Sequence, residues 1–353
     1  MLNILQKNNL TRRISAIQLL CLSWLVIFFS GQLQADNVIS KTGTKKPAFE
    51  LVVLGDTGGI QDGNLSAFLL RDINEQHYIS LDAGTLVNGI NIAQQHNAFA
   101  DLTVIQDPQW STTGNILRQH IKGYLISHGH LDHVAGLLIS SPEDSAKPIY
   151  ALPSVNQTLI DTYFNWKAWA NFTNKGLPPR LNQYQLVDLV PKQSQTITDT
   201  SLKVTAFSLS HPLESTAFVI EKDQDLFVYL GDTGPDQVEK QGKLKALWQY
   251  LAQQLQHKHL RGLVIEVSFT NQRPDNLLFG HLTPKWLIQE LTQFHTLIDD
   301  KSKIKDLQVI ISHIKYTMKN GPDPREQIKQ QLNQGNLLGF KFVLATQGQR
   351  LHL

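Results

Sequence analysis

Four side chains able to ligate a metal ion occupy six consecutive positions, His128-Gly129-His130-Leu131-Asp132-His133, directly after the short apolar run 123–127. So many polar groups cannot all be turned into a core, because each buried and unpaired one costs free energy. On a strand alternate residues share a face, so His128 and His130 point the same way and can hold one ion together. Asp132 and His133, where the chain turns into a helix, can reach a second ion beside the first. A lone histidine is usually structural. This arrangement is a metal-ligand pattern, and it obliges the fold to bring a strand end, a tight turn and a helix start to one point.

Three later segments repeat the theme of an apolar strand that stops at a ligand. Phe207-Ser208-Leu209-Ser210 runs into His211, Val228-Tyr229-Leu230-Gly231 into Asp232, and Val309-Ile310-Ile311-Ser312 into His313. Taken alone, Asp232 reads first as a turn residue. Taken together, these residues complete two sets in the order expected for a pair of ions. His128, His130 and His211 would hold one, Asp132, His133 and His313 the other, and Asp232 would bridge, with room for a shared hydroxide between ions about 3.5–4 Å apart. A carboxylate-rich site would suit manganese, but five histidines favour zinc. Two zinc ions are the expected cofactor, with manganese or iron as alternatives.

The ligand-bearing runs alternate with helix-like stretches from residue 49 onward. Strands are expected at 49–54, 65–70, 78–81, 123–127, 203–209, 216–221, 226–230, 263–267 and 309–311. Helices are expected at 110–120, 154–169 and 243–256. Another starts at Thr283-Pro284, where Thr283 can cap and Trp286, Leu287, Leu291, Phe294 and Ile298 give an apolar face. Many strands with helices between them imply an α/β sandwich, two sheets inside and helices outside, as a single domain over 47–353.

Ahead of that domain, Lys7, Arg12 and Arg13 precede an apolar run from Ile17 to Phe29, followed by Gly31-Gln32-Leu33-Gln34-Ala35. This is the pattern of a signal peptide over 1–35, cut at Ala35/Asp36, with a flexible leader at 36–46. An exported, periplasmic protein without stable membrane insertion after cleavage is expected. The rival reading is an uncleaved anchor, but Gln18 and Ser23 interrupt a run that is already short for a span. The one cysteine, Cys21, lies inside that run. Any metal in the mature chain must then be held by histidine and carboxylate. The export segment also carries the charge surplus: the chain is +2 overall, but beyond residue 35 there are 29 basic against 30 acidic residues. That balance lacks the Lys/Arg surplus a nucleic-acid partner selects.

Across nearly the whole mature chain these residues resemble the metallo-β-lactamase superfamily, which implies a four-layer αββα sandwich. The likeness extends to Leu81-Asp82-Ala83-Gly84-Thr85, where Asp82 resembles the family's aspartate that supports the metal site from behind the ligands. The run from His128 through Leu131 to Ser141-Pro142 is similar to the signature of class II 3′,5′-cyclic nucleotide phosphodiesterases. The runs 58–67, Ile265-Glu266-Val267-Ser268-Phe269 and Gly280-His281-Leu282-Thr283-Pro284 resemble the same family. Tyr316 departs from it, standing where proline is expected after His313-Ile314-Lys315, and this leaves the ligand in place but alters the loop beyond.

The resemblance implies hydrolysis of 3′,5′-cyclic AMP, and of cyclic GMP as a second substrate, to the nucleoside 5′-monophosphate. Asp132 would orient the nucleophile as well as hold metal. A phosphodiester leaves as an alkoxide and needs a proton, which His281 oriented by Glu266 could supply. The rival reading makes Glu266 a satisfied core carboxylate and His281 a capping residue. Asn64 and Ser66 either meet substrate oxygens or merely turn the chain. Tyr163, Phe164, Trp166, Trp169 and Phe172 could stack a base, but their spacing reads first as a buried helix stripe. The run 301–305 reads as a solvated loop. The rival enzymes are other hydrolases of this fold: an RNA-processing nuclease, disfavoured by charge and export, a lactonase, or a β-lactamase, disfavoured by a bridging Asp232. The rival outside catalysis is a metal-bound cyclic-nucleotide binding protein.

Overall fold

The computed structural model describes residues 46–104 and 107–353. The expected signal at 1–35 and all but the last residue of the expected leader lie outside the described residues. The first half runs β1 (Phe49–Gly55), β2 (Thr57–Gly58), β3 (Ala67–Asp72), β4 (Tyr78–Leu81), α1 (Val87–Gln95), α2 (Thr112–Asn115), β5 (Ile121–Leu125), α3 (Leu131–Ser140), β6 (Lys147–Ala151), α4 (Pro153–Thr158) and β7 (Tyr184–Asp188). The second runs β8 (Ser194–Thr196), β9 (Lys203–Leu209), β10 (Ser215–Lys222), β11 (Asp225–Leu230), α5 (Asp236–Glu239), α6 (Lys243–Gln254), β12 (His259–Glu266), α7 (Pro284–Leu297), β13 (Gln308–Ser312), β14 (Ile314–Lys315), α8 (Pro324–Gly335), β15 (Lys341–Leu344) and β16 (Arg350–His352).

Two seven-stranded sheets result, in the orders β16-β1-β3-β4-β5-β6-β7 and β15-β13-β12-β11-β10-β9-β8, while β2 and β14 form a short parallel pair. The strands read as unbroken apolar runs because both faces are covered. In β11, Phe227 and Tyr229 enter the core that holds the first sheet, whereas Leu226, Val228 and Leu230 pack with Trp248 of α6 and Leu287 and Phe294 of α7. On the first sheet, Ile90 of α1 and Val134 and Leu137 of α3 join the core of β1, β3, β4 and β5. The architecture is the αββα sandwich of the metallo-β-lactamase type.

Strand direction decides where the candidate ligands go. β4 and β5 are parallel, as are β11, β12 and β13, and β9 runs antiparallel to β10, which is antiparallel to β11. The carboxyl ends of β9, β11, β12 and β13 therefore share one edge. The hydroxyl of Tyr229 in β11 donates to Asp82, just past β4, at 2.5 Å and ties the first sheet to that edge.

Several expectations shift. The helix expected at 154–169 leaves α-geometry at Leu159 and passes through a wide turn, Leu159–Tyr163. Asn165 then closes a loop: its amide donates to the carbonyls of Asp161 and Thr162 and its oxygen accepts from the N–H groups of Lys167 and Ala168. Trp166 has φ +65°, so the aromatic series is not a helix stripe. Thr283 stands at the cap position of α7, but its side chain makes no capping bond. The run 301–305 begins in a tight turn that buries Ile304.

Candidate metal centre and its neighbouring Glu–His pair

α3 begins at Leu131, which puts Asp132 and His133 on its first turn, with His130 as the residue before it. His211 Nδ1 donates to the Gly280 carbonyl at 2.9 Å, and His133 Nδ1 to Asp82 Oδ2 at 2.7 Å. His128 Nδ1 lies 3.0 Å from Ser127 Oγ, and His313 Nδ1 3.0 Å from Ser268 Oγ. These contacts fix each ring from behind and leave Nε2 facing inward. His130 turns the other way and presents Nδ1, which is 3.1 Å from Nε2 of His128 and 3.1 Å from Nε2 of His211. His133 Nε2 is likewise 3.1 Å from His313 Nε2. Lone pairs so close repel unless a cation stands between them. Ligand bonds of about 2.0–2.1 Å in a tetrahedron set nitrogens about 3.3 Å apart, close to this spacing.

Asp232 is buried in the loop after β11. Its Oδ1 is 3.4 Å from His133 Nε2, and its Oδ2 is 3.3 Å from His313 Nε2, 3.7 Å from His128 Nε2 and 4.0 Å from His211 Nε2. It thus reaches both sets. Asp132 Oδ2 accepts from the Gly59 N–H at 2.8 Å and lies 3.2 Å from His313 Nε2. The glycine turn before it is required: a Cβ on Gly58 would fall 2.4 Å from the His313 ring. His313 and Asp82 themselves sit at φ +58° and +52°, strained conformations of the kind that concentrate at functional sites.

The electrostatics suit a cation. Burial lowers the pKa of His128 far below its ordinary value, lowers that of His130, and takes that of His211 to about 4. Neutral imidazoles are what metal binding requires. Burial would also lower His133, but Asp232, Asp82 and Asp132 raise it well above the usual value. Burial would raise Asp232 and Asp132, but His313 and His133 hold both below the usual carboxylate range. A metal would supply the positive charge these carboxylates now draw from protons. The donor set fits divalent metal ions.

Beside this cluster, Glu266 ends β12 with 1% exposure and a full set of partners. Its Oε1 accepts from His281 Nδ1 at 2.8 Å and from the Thr233 N–H at 3.0 Å; its Oε2 accepts from Ser268 Oγ at 2.6 Å and from the Ser268 N–H at 3.1 Å. Burial would raise Glu266 and lower His281, yet each shifts the other way because they face one another. His281 also lies near Asp232 and His313. Its Nδ1 donates to Glu266 and its Nε2 lies 2.9 Å from Lys315 Nζ, so neither nitrogen is offered to an ion.

The other sequence candidates are placed as follows. Asn64 exchanges hydrogen bonds with Asp56, and Ser66 Oγ donates to the Thr57 carbonyl at 3.3 Å, so both are tied within their own loop. Tyr163 donates to the carbonyl of Gly129 at 2.8 Å, and Trp169 Nε1 to Ser141 Oγ at 3.0 Å, which lays the aromatic loop beside the ligand turn. Sequence reasoning gave no role to Ser268, Tyr229 or Ser127, which hold the ligands and the Glu–His pair in place. A serine in an apolar run carries no mark that distinguishes it.

The family model for class-II cAMP phosphodiesterases matches residues 49–348. The chain belongs to that family. It is 48% identical over 306 residues to a 3′,5′-cyclic-nucleotide phosphodiesterase of Aliivibrio fischeri, covering 86% of this chain and 92% of that protein. It is 42% identical to a probable 3′,5′-cyclic-nucleotide phosphodiesterase of Yersinia pestis, covering 85% of this chain and 88% of the other. Among solved structures, unliganded yeast PDE1 superposes with a TM-score of 0.74 at 26% identity, covering 87% of this chain and all of that one (100%). The metallo-β-lactamase fold protein YhfI from Bacillus subtilis matches with a TM-score of 0.54 at 15% identity, over 86% of this chain and 99% of that one, a likeness of fold.

Proposed function

We propose that this cyclic-nucleotide phosphodiesterase opens 3′,5′-cyclic AMP, and cyclic GMP as a second substrate, to the 5′-monophosphate with two zinc ions. The observation that carries this reading is the pair of convergent ligand sets sharing Asp232, with Glu266–His281 directly beside them. Residues His128, His130 and His211 would hold one ion, and Asp132, His133 and His313 the other. Such ions neutralise phosphoryl oxygens and lower the pKa of a water. Asp132, fixed by the Gly59 N–H, orients the attacking water. Asp82 keeps His133 in the tautomer that faces inward. His281, aligned by Glu266, gives a proton to the departing 3′ oxygen. Attack opposite that oxygen leaves the 5′-phosphate. Purified protein offered cyclic AMP, cyclic GMP, a 2′,3′-cyclic nucleotide and nitrocefin should yield 5′-AMP and 5′-GMP. Release of 3′-AMP, or turnover of nitrocefin alone, would overturn the reading.

The same proposal includes export. The pattern at 1–35 supports cleavage at Ala35/Asp36 and a periplasmic enzyme that removes cyclic nucleotide outside the cytoplasm. The intact mass of protein from the native envelope tests it: a mature chain that retains Cys21 refutes the cut.

A further inference from the structure

Lys315 has no part in the mechanism above, yet its ammonium lies 2.9 Å from Nε2 of His281. An ammonium only donates, so Nε2 accepts while Nδ1 keeps its hydrogen for Glu266. The atom from which His281 would reach a substrate is therefore already taken. The lysine is carried on a fixed backbone. β14 pairs it with Gly58 of β2, and its N–H donates to the Ser268 carbonyl at 3.1 Å. Among the described residues no carboxylate pairs with its side chain. On its outer side opens a cleft of about 400 Å³ whose walls include Phe269, Arg273 and Lys319 and no acid. An ammonium without a counterion, set between a histidine of the reaction centre and an acid-free opening, is arranged for an anion that arrives from outside.

We propose that Lys315 binds the phosphate of the substrate and, in doing so, transfers its hydrogen bond from His281 Nε2 to a phosphoryl oxygen. Ammonium and phosphate carry opposite charges whereas the ring is neutral, so the exchange is favourable. The inference rests on the phosphodiester reading for its substrate, but not for its binding step.

Lys315→Met and Lys315→Arg, each with metal content measured, test it on cyclic AMP and on bis(p-nitrophenyl) phosphate. The affinity for inorganic phosphate is read separately by calorimetry. The Met variant should lose on the order of 10²-fold in kcat/KM on both substrates, the scale of one lost electrostatic contact. It should also bind inorganic phosphate about tenfold more weakly, at unchanged metal content. The Arg variant should recover most of both quantities. Unchanged phosphate affinity in the Met variant, equal losses in Met and Arg, or loss of metal in either would overturn the assignment. Wild-type protein that hydrolyses the aryl ester but not cyclic AMP would defeat the cyclic-nucleotide reading while leaving the Lys315 comparison decisive.

Discussion

Two of the buried polar clusters in this sandwich, around Glu50 and around Asp232, solve the same electrostatic problem in opposite ways. Around Glu50, in β1, the side-chain nitrogens of Arg71 reach both carboxylate oxygens at 2.9 and 2.8 Å, Arg350 Nε donates at 2.9 Å, and Tyr78 completes the shell. Asp101 pairs with Arg350, so two carboxylates meet two guanidiniums and the charges cancel within the protein. Glu50, Asp101 and His352 come close enough together to suggest an ion site, but the oxygens of Glu50 are already in use. Among the described residues no guanidinium pairs with Asp232, and Asp82, Asp132 and Glu266 add further acid. Inward lone pairs and uncancelled negative charge, rather than a count of His and Asp, separate a chelating cluster from a structural one.

The sharpest test of that distinction is Asp232→Ala. Both ions should be weakened, and kcat/KM for cyclic AMP should fall by on the order of 10³-fold or more, since a catalytic metal contributes several kcal/mol. His211→Ala and His313→Ala should each lose mainly one ion. Elemental analysis of dialysed protein reads this out, and normal metal content in Asp232→Ala would break the comparison.

Next comes His281→Ala, which lies beside the chelating cluster but outside it. Hydrolysis of cyclic AMP should slow on the order of 10²–10⁴-fold, the usual contribution of a general acid. Bis(p-nitrophenyl) phosphate, whose leaving group needs no proton, should be cleaved at nearly the wild-type rate with metal retained. Glu266→Gln should show the same pattern more mildly. Equal slowing of both substrates would make His281 a positioning group instead.

Glu50→Gln should do the reverse. Removing one member of a buried, paired network typically costs about 3–5 kcal/mol, so denaturant melts should shift strongly while kcat and metal content stay put. A loss of metal from this variant would mean the clusters are coupled.

The smallest effect is in pH. Burial would raise the Glu50 carboxyl, but Arg71, Tyr78 and Arg350 lower it below the ordinary value of 4.5. A lowered folded-state value contributes stability that is present above that ordinary value and is lost as pH falls through the folded one. The gap in thermal stability between wild type and Glu50→Gln should therefore be full above pH 4.5 and narrow as pH falls from there through the lowered folded-state value. A constant gap would show that the carboxylate's charge is not what the guanidiniums need.

The candidate ligands come together because most of them follow an apolar strand, and strand ends share an edge when the strands share a direction. β4 and β9 begin and end where the apolar pattern places them. β6 was hidden by Pro148, and β16 by its brevity and charge. The aromatic series 163–172 misled because three-residue spacing implies a helix only where the backbone continues one, and Asn165 stops it. What holds the ligands was not legible at all. Tyr229 is 147 positions from Asp82, and His313 is 181 from Asp132, so these contacts exist only once the sheets have met. The Glu50 cluster was missed for the same reason, since Arg350 lies 300 positions away.

The division of the candidate ligands between the sheets has a consequence for how a newly made molecule matures. The first sheet owns His128, His130, Asp132 and His133, and the second owns His211, Asp232 and His313, so neither set closes within one sheet. A chain that has built only its first sheet can trap an ion in a six-residue loop, but loosely and exchangeably. Tight retention should begin only when the second sheet locks on. Slow metal exchange would then certify completed assembly, and a chelator applied during refolding should strip the immature molecules and spare the finished ones.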